Sequence, residues 1–135
     1  MASGSKPTDE FIRVAEFRSA LRRFMSQSER VARTSGLTPQ RYLLLLMIKG
    51  APKGNERSTV TELSDRLQLA QSTVTELVAR AADAGLVSRE PSSDDGRVAL
   101  LRLTDEGERR LTQAFTSLAS ERHQLLSSLV NLQGR

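Results

Sequence analysis

Between Thr59 and Gly107 the chain reads TVTELSDRLQLAQSTVTELVARAADAGLVSREPSSDDGRVALLRLTDEG, and the order of its local patterns leaves few ways to fold. Thr59 and Glu62 stand three apart ahead of an apolar run. At that spacing each side chain accepts from the other's backbone N–H and starts a helix. Leu63 and Leu67 face inward from this helix, with Leu69 in the turn beyond. A second helix is expected from Gln71 to about Ala84, burying Val74, Leu77, Val78 and Ala81 at helical spacing and stopped by Gly85. Leu86 to Pro91 and Arg97 to Leu103 then alternate as two strands around the turn-rich tip SSDDG. Two short helices, a tight link and a hairpin make a helix-turn-helix with a β wing.

Longer helical patterns flank this unit. From Asp9 to about Arg33, Phe11, Val14, Phe17, Leu21, Phe24, Met25 and Val31 form one apolar stripe, Arg13, Arg22, Arg30 and Arg33 lie opposite, and Gly36 ends the run. Thr38 and Pro39 start another helix as cap and first residue, and its segment Tyr42 to Ile48 is apolar nearly all round, so it belongs at the centre. The Gly/Pro-punctuated loop GAPKGNERS follows, carrying Lys53 and Arg57. Thr104 caps the last helical region, whose first turns carry the pairs Asp105–Arg109 and Glu106–Arg110. Leu111, Phe115, Leu118, Leu125, Leu129 and Leu132 form its stripe, with a break expected near Ser120.

The expected class is therefore mainly α with a small β-hairpin wing (α+β), a winged helix-turn-helix flanked by N- and C-terminal dimerisation helices. Residues 1–8 are expected as a flexible tail and 9–135 as one domain, with helices in 9–35 and 108–135 around a winged unit in 37–107. One small core cannot cover both terminal stripes, and self-association is the economical solution.

Composition removes several function classes. With no cysteine, disulfides, thiolate metal sites and thiol redox sensing are excluded. The single histidine, His123, makes no metal site, and SDDG lacks the ligand spacing of a calcium loop. Aromatic residues are too few for a stacking platform on single strands. The longest apolar run, Leu43 to Ile48, is too short to cross a bilayer, and the opening MASGSKPTDE has no apolar leader segment, so a cytoplasmic protein is expected. No nucleophile–base–orienter set occurs, so neither an enzyme nor a cofactor is expected.

A formal charge of +4 suits a nucleic-acid partner, but its distribution is uneven. Residues 1–57 carry 11 basic and 5 acidic side chains, whereas 58–104 carry 5 and 7. The unit expected to read DNA is thus slightly acidic, and recognition must rest on a few placed groups. In a helix-turn-helix, residues near the N-terminus of the second helix reach base edges in the major groove. Gln71, Ser72, Thr73, Thr75 and Glu76 occupy that position. Gln pairs with adenine, Ser and Thr bond either kind of base edge, and Glu accepts from a cytosine amino group. The structural alternatives are that Ser72 and Thr73 only start the helix and that Glu76 pairs with Arg80, itself a candidate for phosphate. Arg41, Lys53 and Arg57 are further candidates for the DNA backbone.

The chain resembles the multiple antibiotic resistance regulator (MarR) family of winged-helix repressors over about residues 10–130. The likeness is strongest in LSDRLQLAQSTVTELVARAADAGLVSRE and in DDGRVALLRLTDEG, where Asp95, Arg97, Leu103, Thr104 and Gly107 fit the family's wing pattern in register. The resemblance implies a homodimer with intertwined terminal helices, repression from a pseudo-palindromic operator, and release by a small aromatic or amphipathic molecule. It also implies that Arg97 enters a DNA minor groove while Asp95 supports the wing. The alternative is that Arg97 is a strand residue paired with Asp95. An effector pocket is expected between the first helix, the central helix and the DNA-reading unit, with Phe24, Tyr42 and Met47 as linings or as plain core. Ala70 replaces a Ser-type helix cap, Gln68 a turn glycine, and Glu76 and Gly96 stand where basic residues are frequent. Two rival readings stay open: a protein-interaction module that has lost DNA binding, and an architectural duplex binder without sequence preference.

Overall fold

A computed structural model describes residues 6–92, 94 and 96–133. Six helices and a two-stranded antiparallel hairpin follow one another as α1 (Pro7–Thr34), α2 (Pro39–Lys49), α3 (Val60–Leu67), α4 (Gln71–Asp83), β1 (Val87–Pro91), β2 (Ala99–Leu103), α5 (Asp105–Ser117) and α6 (Ala119–Leu132). This is the mainly helical winged fold that the patterns imply.

The caps explain the boundaries. Thr38 accepts from the backbone N–H of Arg41, Thr59 and Glu62 form the reciprocal box, and Thr104 accepts from Gly107. α1 begins at Pro7, two residues before the expected start, because Asp9 reaches back to the backbone N–H of Lys6. Gly36 follows α1 in the left-handed conformation, φ +78°, which a side chain would strain.

The core lies around α2. Leu44, Leu45 and Ile48 are fully buried against Leu63 of α3, Val74, Val78 and Ala81 of α4, Leu101 of β2 and Leu118 after α5. Leu43, 41% exposed, marks the one uncovered side of a helix buried on the others. The hairpin pairs Val87 with Leu103 at its base and Pro91 with Ala99 at its outer end. Ser58 forms a bridge to Leu101, so the chain entering α3 borders the outer edge of β2.

The threonine and glycine of the wing's closing pattern have clear physical roles. Thr104 Oγ1 donates to the Gly85 carbonyl and its backbone N–H donates to Leu86, which ties the start of α5 to the end of α4. A side chain on Gly107 would overlap the Leu86 carbonyl oxygen, so only glycine permits this approach.

Both strand starts also differ from expectation. β2 begins at Ala99, so Arg97 and Val98 belong to the turn rather than the strand. β1 begins at Val87, because the Leu86 N–H donates to the Ala81 carbonyl of α4 instead of entering the ladder. The last helical region breaks at Leu118, two residues before Ser120, with Leu118 fully buried at the junction.

α1 and α6 run antiparallel along each other. Arg13, Glu16 and Phe17 share a cleft with Ser128, Asn131 and Leu132, while Ala20, Arg23, Phe24 and Gln27 share another with Glu121, Gln124, Leu125 and Ser128. No helix among the described residues is long and apolar enough to cross a membrane.

Candidate nucleic-acid interface

α3 and α4 meet through a turn that the sequence makes in an unusual way. Gln68 caps α3 in the left-handed conformation, φ 56°, where glycine is the easier residue. Its side-chain amide donates to the Asp65 carbonyl at 2.6 Å, and Ser64 Oγ donates to Leu69 at 2.5 Å, holding the turn closed. Ala70 then opens α4 with extended backbone but no side-chain hydrogen bond.

α4 is two-faced. Val74, Leu77, Val78 and Ala81 are buried, as their spacing implies. Gln71, Ser72, Thr75, Glu76 and Arg80 are exposed, and Thr73 is half-buried. The six candidate residues of this helix therefore share one polar side, anchored from behind by the core. Gln71 Nε2 reaches Thr61 Oγ1 of α3 at 3.4 Å. Arg80 Nη2 lies 2.6 Å from Glu76 Oε1, the i,i+4 pair that formed the structural alternative for both residues. In the free chain the pair neutralises both charges, leaving hydroxyl and amide groups as the helix's principal offering.

Arg97 is exposed in the turn of the wing, next to Gly96. Asp95, the expected support of the wing, lies outside the described residues. Among the described residues no group of three or more His, Asp or Glu side chains is arranged to hold a metal ion.

Charge-pair networks between the wing and the neighbouring α2–α3 loop were not legible in the sequence. Glu90 of β1 receives Arg57 Nε on one oxygen at 2.5 Å, and its other oxygen lies 3.5 Å from Arg102 Nε of β2. Lys49, at the end of α2, bridges Glu56 at 3.0 Å and Glu108 of α5 at 2.9 Å. Those two carboxylates push the lysine's pKa upward, with Glu108 the larger influence. Arg57, a candidate for the DNA backbone, is thus engaged within the protein. The only sequence signal was the density of charge around residues 49–57.

Phe24, Tyr42 and Met47 do not converge on one pocket. Phe24 lines the cleft against α6, Tyr42 is buried in the core with its hydroxyl pKa raised by that burial, and Met47 packs on the core's edge. A different apolar cleft of about 330 Å³ lies between α2 and α5, lined by Leu46, Lys49, Gly50, Leu111, Thr112 and Phe115.

Comparison with known proteins agrees with this geometry. Residues 35–98 match the model of the MarR family. The HTH-type transcriptional repressor IacR of Pseudomonas putida is 32% identical over 85 residues, 63% of this chain and 48% of the repressor. The chain thus spans about half the length of that curated relative. The crystal structure of a mutant MarR from E. coli complexed with operator DNA shares the fold, with a TM-score of 0.70 at 19% identity over 96% of this chain and 94% of that one. The M. tuberculosis regulator MOSR, solved in complex with DNA, aligns with a TM-score of 0.61 at 26% identity over 82% of this chain and 77% of its own. Over residues 35–98, which hold most of its winged helix-turn-helix, the chain is similar to the MarR family.

Proposed function

We propose that the chain is a sequence-specific double-stranded-DNA-binding transcriptional regulator, a repressor that acts as a homodimer on a pseudo-palindromic operator. The observation that carries this reading is the polar side of α4, where Gln71, Ser72, Thr73, Thr75 and Glu76 stand on a helix whose opposite side is locked into the core. The DNA complexes of two similarly folded regulators and the repressor function in the name of IacR support it. In this reading the N-terminal half of α4 enters the major groove, Arg97 enters the adjacent minor groove, and Arg80 contacts phosphate after leaving Glu76. The α2–α5 cleft accommodates a small aromatic or amphipathic effector, its volume falling at the low end of the few hundred Å³ usual for such sites.

The test is selection of duplexes from a random-sequence pool, followed by titration at several salt concentrations. The reading expects an inverted repeat to emerge and Arg97→Ala to weaken its binding at least tenfold, the order of one good groove contact. Binding of all duplexes alike would favour the architectural alternative. No binding even at low salt would leave the protein-interaction module.

A further inference from the structure

The wing hairpin is a two-stranded sheet, an element of marginal stability by itself. Beyond the last register pair, Pro91 with Ala99, one further backbone hydrogen bond runs from Ser92 N–H to the Val98 carbonyl at 2.9 Å. Contacts from outside the hairpin therefore help to fix the direction of the wing.

The α2–α3 loop is fastened to the hairpin in two ways, beside the middle register pair Arg89–Leu101 and at Glu90, one pair from the outer end. Ser58 and Leu101 exchange backbone hydrogen bonds of 3.2 and 2.8 Å, which places the loop's end along β2. Arg57 then spans β2 to reach Glu90 on β1, while Arg102 of β2 approaches the second oxygen of the same carboxylate. The Arg57 guanidinium also donates from Nη1 to the Asn55 and Glu56 carbonyls of its own loop, each at 3.3 Å. It is a staple bound at both ends. Neighbouring Glu56 is held by Lys49, which also grips Glu108 of α5, so the loop that orients the wing is anchored to the central helix and α5.

We infer that Arg57 and Glu90 are positioning residues for the wing: their ion pair, completed by Arg102, sets the angle at which the wing tip meets a DNA duplex. The inference rests on the DNA-binding reading above. It differs from direct phosphate contact by Arg57 in the sign of one effect. Glu90 places a carboxylate on the surface that carries the wing, and removing a negative charge beside DNA strengthens binding when electrostatics alone decide. If Glu90 positions the wing, removing it weakens binding.

The experiment compares the wild-type chain, Glu90→Ala, Arg57→Ala and the double variant on the duplex that the wild type selects. Each single variant is expected to bind about fivefold more weakly, in keeping with the worth of a part-exposed ion-pair network. The double variant is expected to bind no more weakly than either single one, because both remove the same interaction. Equal or tighter binding by Glu90→Ala, or additive losses in the double variant, would overturn the inference. Glu90→Gln, equal in volume, serves if the alanine variant does not fold. In the DNA-free protein, amide hydrogen exchange at Ser92 and Leu101 is expected to quicken in Glu90→Ala, and unchanged exchange would count equally against the inference. Failure of the wild type to bind any duplex, with the exchange effect present, would overturn the DNA-binding reading and the wing's role in it, while leaving the staple as a structural fact.

Discussion

Ala70 is the residue whose identity most affects how α4 is presented. It has the extended backbone of a helix cap yet supplies no side-chain oxygen to the first-turn N–H groups. The neighbouring Gln68 compounds this by taking a left-handed conformation that costs a non-glycine residue about 1–2 kcal/mol. The side-chain bonds of Gln68 and Ser64 to the turn's carbonyls offset part of that cost. The turn therefore holds through side chains rather than through the usual backbone-compatible residues. Ala70→Ser is expected to stabilise the fold by about 1 kcal/mol, read as a higher urea midpoint at unchanged slope. A midpoint equal to or below that of the wild type would show that the N-terminus of α4 does not need the cap.

At the scale of elements, α5 links the wing to the terminal helices, and charged groups hold its first turns. Glu106 accepts from Arg109 at 2.6 Å and from Arg110 at 2.7 Å, and Arg110 donates on to the Gly36 carbonyl between α1 and α2. These hydrogen bonds, Arg109's first, lower the Glu106 pKa from the ordinary 4.5 to about 2. A carboxyl whose folded pKa is depressed contributes stability above its unfolded pKa and loses it as pH falls through the folded one. The contribution of Glu106 should thus fade between about pH 4.5 and 2. Glu106→Gln is expected to lower the melting temperature at neutral pH and to flatten its fall over that window. Parallel melting curves for the two proteins across the window would contradict this.

The same helix shows where sequence reading stops. The Thr104 cap and the Glu106–Arg110 pair follow from spacing, but Arg109 pairs with Glu106 rather than with Asp105. Spacings of three and four both bring side chains together on a helix, so pattern cannot choose between them. The buried face of α4 was legible because burial imposes a 3.6-residue period. The wing was legible as two strands, but not the point at which its ladder ends, since exposed turn residues carry no such period. Arg57 and Glu90 are 33 residues apart, and Lys49 and Glu108 are 59 apart. Such contacts arise only once the topology brings distant loops together, and no local rule records them.

On the scale of the whole molecule, the outstanding feature is how little the terminal helices bury. α1 has 28 residues and only Ala32 is buried, while α6 has no buried residue. Their mutual packing still leaves Phe11 75%, Met25 55% and Leu126 59% exposed. Exposed apolar surface on this scale marks an interaction site, and in the proposed homodimer a second copy would provide the matching stripe by symmetry. In that proposed dimer the joined terminal helices would hold two copies of α4 apart, and that spacing would make the winged helix-turn-helix a reader of inverted repeats. In the proposed complex α4 enters the major groove, and it does so twice. Hydroxyl-radical footprinting on the selected duplex tests both at once. The expected result is two protected windows related by a two-fold axis, their centres about one helical turn, roughly 10 base pairs, apart. A single window, or uniform protection without symmetry, would contradict the account.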